Sequence, residues 1–330
     1  MPILSVVIPS FNVEKFIGET MKGIVEQTLT DWELFVVDDG SNDNTKNIIC
    51  QFEREDQRIH LVKRNREPKG AQTCRNTGIE LASGKYIIIF DSDDVIAPYC
   101  FEQRVSYMEE HNVDYATFRG QGFKTDKNGV KKYTHRWGEP NNKDILKGFL
   151  AADYPFGIWN NIYRANVCKE LMFDEKLAIY QDFDFAVRTV LGGYTHAYAQ
   201  NSKPDYFYRQ GHGGAITSVF ITEEKYNSTM YLFEKTLKSI ETMDRHDVYK
   251  KSFFHFFLLQ YERILFNGNA EQKERFFRFI GETYHQYARH RLKLLKLWGE
   301  KIHNKRSIIL LEWVLFEPKA LFKWLKEKID

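Results

Sequence analysis

The chain has 330 residues, of which 47 are Lys or Arg and 45 are Asp or Glu, so its net charge is only +2 at neutral pH. This near balance gives no reason to expect a nucleic-acid partner, which would favour a strongly basic surface. An apolar content of 43% and a charged content of 28% are typical of globular proteins. The apolar runs are too short to span a bilayer, so no membrane-spanning segment is expected.

The four cysteines, Cys50, Cys74, Cys100 and Cys168, are widely spaced and show no metal-binding pattern. Free thiols of this kind are typical of proteins in a reducing cytoplasm. A strand pattern begins almost at the first residue, and no signal peptide is recognised. We therefore expect a cytoplasmic protein.

Strand and helix patterns alternate over the first hundred residues. The predicted strands are Leu4–Ile8, Trp32–Val37, Ile59–Lys63 and Tyr86–Phe90, and the predicted helices are Glu14–Gln27, Thr45–Glu55, Gly70–Ala82 and Pro98–His111. This alternation is typical of a mostly parallel sheet with helices on both faces. The sequence therefore predicts an α/β fold with a Rossmann-like sheet.

The stretch Gly84–Pro98, GKYIIIFDSDDVIAP, carries the strongest chemical signal. The buried strand pattern Tyr86–Phe90 leads directly into three carboxylates, Asp91, Asp93 and Asp94. In open α/β sheets, ligands bind beyond the carboxyl ends of the strands. Crowded carboxylates favour a hard divalent cation, Mn²⁺ or Mg²⁺, and phosphate oxygens can complete its shell. The alternative is a solvated acidic turn, because the pattern is short.

A second acidic strand end, Asp38 and Asp39, follows the predicted strand Trp32–Val37. Carboxylates that meet at one edge of a sheet indicate a nucleotide site. The chain has no Gly-rich phosphate-binding loop of either common type. We therefore expect a metal and basic side chains, and not a helix N-terminus, to hold the phosphates.

The middle of the chain holds candidates for catalysis and for ligand binding. The segment Gly157–Arg164, GIWNNIYR, contains Trp159, which can stack on a ligand ring or pack in the core. Asp182 precedes a predicted helix, Ala186–Leu191, where a carboxylate can act as a general base or as an ordinary N-cap. Both interpretations of each residue are left open by the local pattern.

Three further patterns complete the first 218 residues. Val113–Lys124 is predicted as a strand and Lys143–Ala152 as a helix. Tyr206–Thr217, YFYRQGHGGAIT, is predicted as a strand that leads into a Gly-rich, basic loop. In that loop Arg209 and His212 can face a diphosphate or a metal, or the loop is a surface turn.

Beyond residue 218 the pattern becomes helical, aromatic and basic. From Val219 onward the chain has 21 Lys and Arg against 15 Asp and Glu, whereas the preceding part has 26 against 30. Helical patterns cover Phe253–Phe266, Phe276–Trp298 and Ser307–Lys328. The last of these mixes apolar and aromatic residues with lysines, as in helices that lie in an anionic membrane interface. Packing on the catalytic domain or on another subunit is the alternative.

Several motifs together resemble the family 2 glycosyltransferases of GT-A fold. SVVIPSFNVEKFIGETMKGIVEQT, FVVDDGSNDNT and GAQTCRNTGIELASGKYIIIFDSDD resemble the N-terminal half of that family in order and spacing. WNNIYR, FDEKL, YQDFDF and YFYRQGHGG resemble its acceptor half. The resemblance implies a catalytic domain at 1–218, with a nucleotide-sugar half at 1–98 and an acceptor half at 99–218. The helical region 219–330 matches nothing in the family.

The resemblance also implies roles for individual residues. Asp182 would be the general base, and Asp91 and Asp93 would meet the metal. Together with the loop candidates, the predicted donor-binding residues are Pro9, Ser10, Phe11, Asp39, Arg75, Asp91, Ser92, Arg209 and His212. The predicted acceptor contacts are Trp159, Asn160 and Asn161. Two positions depart from the family pattern: Gln181 stands where Glu is usual, and Asn161 stands where Lys is common.

The expected activity is therefore inverting transfer of a hexosyl or N-acetylhexosaminyl group. The donor would be a nucleotide diphosphate sugar, with UDP favoured, and Mn²⁺ or Mg²⁺ the cofactor. The acceptor would be a growing surface polysaccharide, free or lipid-linked, reached from the cytoplasmic side of the membrane. Region 219–330 would serve oligomerisation, packing or peripheral membrane contact. The alternatives are a nucleotidyltransferase and an inactive glycosyltransferase-like module that binds a partner.

Overall fold

The computed structural model describes residues 1–126, 129–138, 144–211 and 222–284. The strands are β1 Leu4–Ser10, β2 Trp32–Asp38, β3 Ile59–Lys63, β4 Tyr86–Ile89, β5 Val95–Ile96, β6 Tyr115–Thr117, β7 Gly120–Thr125, β8 Lys131–Trp137, β9 Asn161–Arg164, β10 His196–Tyr198 and β11 Tyr206–Arg209. The helices are α1 Ile17–Val25, α2 Thr45–Glu55, α3 Ala71–Leu81, α4 Cys100–His111, α5 Ile145–Leu150, α6 Ala165–Leu171, α7 Gln181–Leu191, α8 Glu223–Glu241, α9 His246–Asn267 and α10 Ala270–Thr283.

The main sheet has seven strands in the order β10-β6-β9-β4-β1-β2-β3. β1 pairs in parallel with β2 and β4, and only β9 runs antiparallel to its neighbours. Each element predicted over the first hundred residues is present, with ends that differ by three residues or fewer. The prediction of a mostly parallel α/β sheet is therefore confirmed.

The central strands end at one level, which brings their acidic ends together. Ser10 at the end of β1 is in register with Asp38 at the end of β2. The backbone N–H of Phe90, just after β4, donates to the carbonyl of Val7 at 3.0 Å. All seven residues of β1 are buried, because helices cover both faces of the sheet. The polar groups that follow the strands thus gather along one edge of a rigid core.

A second, four-stranded sheet has the order β5-β11-β7-β8. The predicted single strand Val113–Lys124 is here two strands, since β6 joins the main sheet and β7 joins the second one. The chain changes sheets at Phe118, whose N–H donates to the carbonyl of Asn160 at 2.8 Å. The corner consists of Phe118 and Arg119 and contains no proline or other strong turn signal, so the sequence pattern did not reveal the break.

The helices after residue 222 pack on the rest of the described chain. The ring centroids of Phe183 on α7 and Phe256 on α9 are 4.7 Å apart, and those of Phe233 on α8 and Phe257 on α9 are 3.9 Å apart with the rings tilted. No helix in the described ranges is both long and apolar enough to cross a membrane. The predicted helix Ser307–Lys328 lies outside the described residues.

Candidate functional site

Arg75, on α3, joins two carboxylates from distant parts of the chain. Its guanidinium donates to Asp182 Oδ1 on α7 and to Asp91 Oδ1 after β4, each at 2.8 Å. The Arg75 side chain is buried, whereas the Asp182 and Asp91 side chains are 46% and 26% exposed. The predicted base and the first carboxylate of the D-x-D pattern therefore contact the same cation and remain accessible from solvent.

The charges in this cluster are strongly coupled. Burial alone would lower the pKa of Arg75, but Asp182 and Asp91 outweigh that effect, so its pKa is raised and it stays charged. The protein atoms packed around Asp182 raise the pKa of its carboxyl although its outer surface is open; Arg75 opposes this rise and Asp91 adds to it. A carboxylate with a raised pKa is a better proton acceptor near neutral pH.

Gln181 belongs to the same network. Its Oε1 accepts from Arg75 at 3.3 Å, and its amide donates to Gln72 Oε1 at 2.8 Å. Where an acid would add a third negative charge beside Arg75, the amide adds none. α7 begins at Gln181, with Tyr180 at the N-cap position, so Asp182 lies inside the first turn. The interpretation of Asp182 as an N-cap is therefore wrong.

The helix that carries Asp182 is fixed to α8 by ion pairs. Lys235 Nζ lies 2.7 Å from Asp174 Oδ2 and 2.7 Å from Asp184 Oδ1. Asp184 also accepts from Arg188 at 2.8 Å. Because Asp184 is almost fully buried, these contacts strongly favour one orientation of α7. Residues well beyond the D-x-D pattern thus help to set the position of the candidate base.

Asp39 lies at the joined ends of β1 and β2. Its backbone N–H donates to the carbonyl of Ser10 at 2.9 Å. Its carboxylate accepts from Arg64 Nε at 2.6 Å and from the N–H of Gly70 at 3.3 Å. Ser10 Oγ is buried and has no hydrogen-bond partner within the described residues, and Pro9 precedes it in the strand. An unused buried hydroxyl at a strand end is typical of a site that a ligand completes.

Phe11 follows Ser10 and is 43% exposed, which is unusual for a phenylalanine. Lys69 Nζ lies 3.7 Å from the centroid of its ring. The ring is therefore an accessible aromatic surface at the end of β1. The ammonium group of Lys69 lies over it, and Asp39 is hydrogen-bonded to the preceding residue, Ser10. This arrangement suits a flat base with attached phosphates.

The D-x-D loop is held from below by β11. Asp94 is fully buried and accepts from the hydroxyl of Tyr206 at 2.6 Å and from the backbone N–H of Arg209 at 2.7 Å. Arg209 Nε in turn donates to the carbonyl of Asp93 at 2.7 Å, and Ser92 is buried in the same loop. The Arg209 guanidinium thus supports the backbone of the loop. Its contact with a diphosphate stays a prediction.

The carboxylates of this loop fit a hard divalent cation. Burial, together with the charges of Asp93 and Asp91, raises the pKa of Asp94 well above its ordinary value. A cation would relieve that crowding of negative charge. No group of three or more His, Cys, Asp or Glu suited to a metal occurs in the part of the chain that the structure describes. Asp91 and Asp93 would therefore hold the metal with help from ligand oxygens.

Two predicted acceptor contacts, Asn160 and Asn161, have fully buried side chains. Asn160 Nδ2 donates to the carbonyl of Phe118 at 2.8 Å. Asn161 accepts from the hydroxyl of Thr117 at 2.6 Å and donates to the hydroxyl of Tyr163 at 2.7 Å. Asn160 thus fixes the corner at Phe118, and Asn161 links the neighbouring strands β6 and β9 of the main sheet. The structure gives no support to the predicted contact of either amide with an acceptor.

Trp159 is only 7% exposed. Its ring stacks on that of Tyr206 with centroids 4.7 Å apart and lies over Gly120, where any side chain would collide with it. This geometry favours core packing over sugar stacking. Its contact with an acceptor stays a prediction, and His212 lies outside the described residues.

One residue beside the site was not singled out from the sequence. Tyr208 stacks on Trp159, with ring centroids 5.8 Å apart and planes only 9° apart. Burial, followed by the charges of Asp91 and the other site carboxylates, raises the pKa of Tyr208 to about 12. The signal was available, because Tyr206 and Tyr208 are two residues apart in a strand and so share a face.

Comparison with known proteins identifies the family of this chain. The sequence model of Glycosyl transferase family 2 matches residues 5–171, half of the chain. A UDP-Glc:alpha-D-GlcNAc-diphosphoundecaprenol beta-1,3-glucosyltransferase of Escherichia coli is 37% identical over 113 residues, 34% of this chain and 44% of that protein. A GalNAc(5)-diNAcBac-PP-undecaprenol beta-1,3-glucosyltransferase of Campylobacter jejuni is 27% identical over 177 residues, 53% of this chain and 56% of that protein.

The crystal structure of residues 1–349 of TarS from S. aureus, in complex with UDP-GlcNAc, has a TM-score of 0.64 to this chain at 19% identity. The match covers 85% of this chain and 80% of the other, and it supports the GT-A fold. The chain spans about half the length of the curated relatives that it matches. Because the family model covers half of the sequence, the chain belongs to glycosyltransferase family 2.

Proposed function

We propose that this protein is an inverting glycosyltransferase that moves a sugar from a UDP-sugar to a hydroxyl of a growing surface glycan. The observation that carries the proposal is Arg75, whose guanidinium contacts both Asp182 and Asp91. One cation thereby joins a solvent-accessible candidate base to the carboxylate where a donor would bind. The relatives named for a UDP-glucose donor and undecaprenol-diphosphate acceptors support the choice of substrate class.

In this mechanism the donor lies across the ends of β1, β2 and β4. Phe11 and Asp39 bind the nucleobase of the donor, while Asp91 and Asp93 face its ribose and diphosphate. A bound Mn²⁺ or Mg²⁺ would neutralise charge on the departing diphosphate. Arg75 orients the Asp91 carboxylate for the donor and the Asp182 carboxylate for the acceptor. The chain thus supplies a rigid donor site on strand ends and a base on a separate helix.

Asp182 performs the proton transfer. As the acceptor oxygen attacks the anomeric carbon, its proton passes to the Asp182 carboxylate. The bond between that carbon and the diphosphate oxygen breaks on the opposite side, and UDP leaves with the electron pair. In-line attack inverts the carbon, so an α-linked donor gives a β-linked product. An acceptor attached to a lipid at the inner face of the membrane is the acceptor class that we favour.

Donor hydrolysis tests this function without a known acceptor. We expect purified protein to release UDP slowly from one member of a UDP-sugar panel when Mn²⁺ or Mg²⁺ is present. Excess chelator should stop the release and weaken UDP binding in calorimetry, and Asp93→Ala should nearly abolish turnover. Lys85→Ala, at an exposed ion pair with Glu109, is the matched control. Unchanged UDP affinity in chelator would refute the metal role, and release of pyrophosphate instead of UDP would identify a nucleotidyltransferase.

A further inference from the structure

Four aromatic rings pack together between the second sheet and β9, and we call them the aromatic wall: Tyr206, Trp159, Tyr208 and Trp137. Tyr206 and Trp159 are its buried inner members, at 0% and 7% exposure. Tyr208 and Trp137 are its outer members and are only half-buried. Trp137 meets Trp159 edge-on at 5.4 Å and Tyr208 edge-on at 5.8 Å. The wall therefore ends in two accessible rings set nearly at right angles.

The backbone explains why these rings share one face. Gly120 pairs with Tyr206 on one side and with Trp137 on the other, while Tyr208 pairs with the next residue of the same face, Gly122. With no side chains on these two residues of β7, Trp159 and Trp137 can lie over the strand. The aromatic wall is thus a built feature of the sheet and not a chance cluster.

Contacts connect the aromatic wall with the candidate base. The hydroxyl of Tyr206 contacts the D-x-D loop through Asp94 and through the N–H of Asp91. The Asp91 carboxylate shares the Arg75 guanidinium with Asp182. Tyr208, two residues further along β11, is displaced by about 7 Å on the same face. Tyr208 thus continues the face of β11 whose inner ring contacts the loop of Asp91.

The polar atoms of the outer rings are unused. Neither the hydroxyl of Tyr208 nor the indole N–H of Trp137 makes a hydrogen bond within residues 1–126, 129–138, 144–211 and 222–284. Tyr206, by contrast, uses its hydroxyl twice. Half-open aromatic faces with free donors at the rim suit a ligand that has apolar C–H faces and hydroxyls at its edge.

We propose that Tyr208 and Trp137 bind a pyranose ring of the acceptor and hold it next to Asp182. The assignment rests on the proposed glycosyl transfer, because it needs a sugar acceptor beside the base. It replaces Trp159, which is covered by these same rings, as the stacking surface. The donor occupies the ends of β1, β2 and β4, so the two sugars approach Asp182 from different sheets.

Saturation-transfer NMR with simple glycosides tests this binding surface. The probes are methyl β-glucopyranoside, methyl β-galactopyranoside and their 2-acetamido analogues, each added to full-length protein with UDP and Mn²⁺. We expect transfer to the ring C–H protons of at least one probe. Trp137→Ala and Tyr208→Ala should each weaken its affinity by about tenfold, while Tyr208→Phe, which keeps the ring, should lose less.

Tyr133→Ala is the matched control, since Tyr133 is an exposed aromatic of the same strand β8 that contacts Phe207 on the opposite face. It should leave glycoside binding unchanged. Glycoside binding that survives both Trp137→Ala and Tyr208→Ala would overturn the proposal. So would an equal loss of UDP binding in these variants, which would assign the wall to the donor. UDP binding without any glycoside binding refutes this inference alone, whereas absence of UDP binding refutes the proposed function.

Discussion

The two sides of the site are built from different types of residue and secondary structure. The proposed donor side consists of carboxylates and a few loop residues at the ends of β1, β2 and β4, which pair in parallel. The proposed acceptor side consists of the outer rings Tyr208 and Trp137 on the second sheet and of Asp182 on α7, which α8 holds in place. Topology alone determines where strand-end carboxylates go, whereas the acceptor side depends on side-chain packing between separate elements.

Arg75 is the point where the two sides meet. It is anchored on α3 and contacts one carboxylate from each side. A buried cation between two accessible carboxylates makes the donor side and the base electrostatically dependent on each other. The difference between the two sides is therefore best tested by substitution of Asp182, Arg75 and Asn161.

The largest effect is expected from Asp182→Asn. The amide keeps the size of the carboxylate but cannot accept the acceptor's proton. A positioned base contributes about 10²–10⁴-fold to rate, so kcat for UDP release or sugar transfer should fall by that factor. UDP affinity, measured by calorimetry, should stay unchanged because the donor side is intact.

The control for that experiment is Asp184→Asn, two residues further along α7. Asp184 pairs with Lys235 and Arg188 and reports on disturbance of the helix. The replacement of Asp184 should lower the melting temperature, and it should lower kcat far less than Asp182→Asn does. Near-wild-type transfer by Asp182→Asn would contradict the role of Asp182 as the base.

A smaller effect is expected from Arg75→Met, which removes the link between the two sides. Losing a positioning contact costs about 10²-fold in kcat. Without the guanidinium, burial and Asp91 act unopposed and raise the pKa of Asp182 further. Because a base works only when deprotonated, the acidic limb of the kcat/KM profile should move to higher pH. A profile that falls uniformly at every pH would indicate a purely structural role for Arg75.

The sequence predicted the parallel sheet and its acidic edge well, because strand patterns determine where the strand-end carboxylates lie. Asp39, Asp91 and Arg75 were named from sequence, and the structure brings Asp91 and Arg75 into contact. The sequence could not show that the side chains of Asn160 and Asn161 turn inward, since an amide at the start of a short strand can face either way. Nor could the sequence separate Trp159 from Tyr208, because their exposure depends on which ring lies outermost in a stack that β8, β11 and the turn before β9 assemble.

The smallest effect is expected from Asn161→Ala, which tests whether that amide holds β6 and β9 together or contacts the acceptor. Its removal leaves the hydroxyls of Thr117 and Tyr163 without this buried partner. Unsatisfied buried groups of this kind cost about 1–3 kcal/mol in the free energy of unfolding, which chemical denaturation measures. Since the side chain is fully buried, glycoside affinity should change far less than it does in Trp137→Ala. Lost glycoside binding at unchanged stability would instead return Asn161 to the acceptor site and leave the aromatic wall as one part of a larger surface.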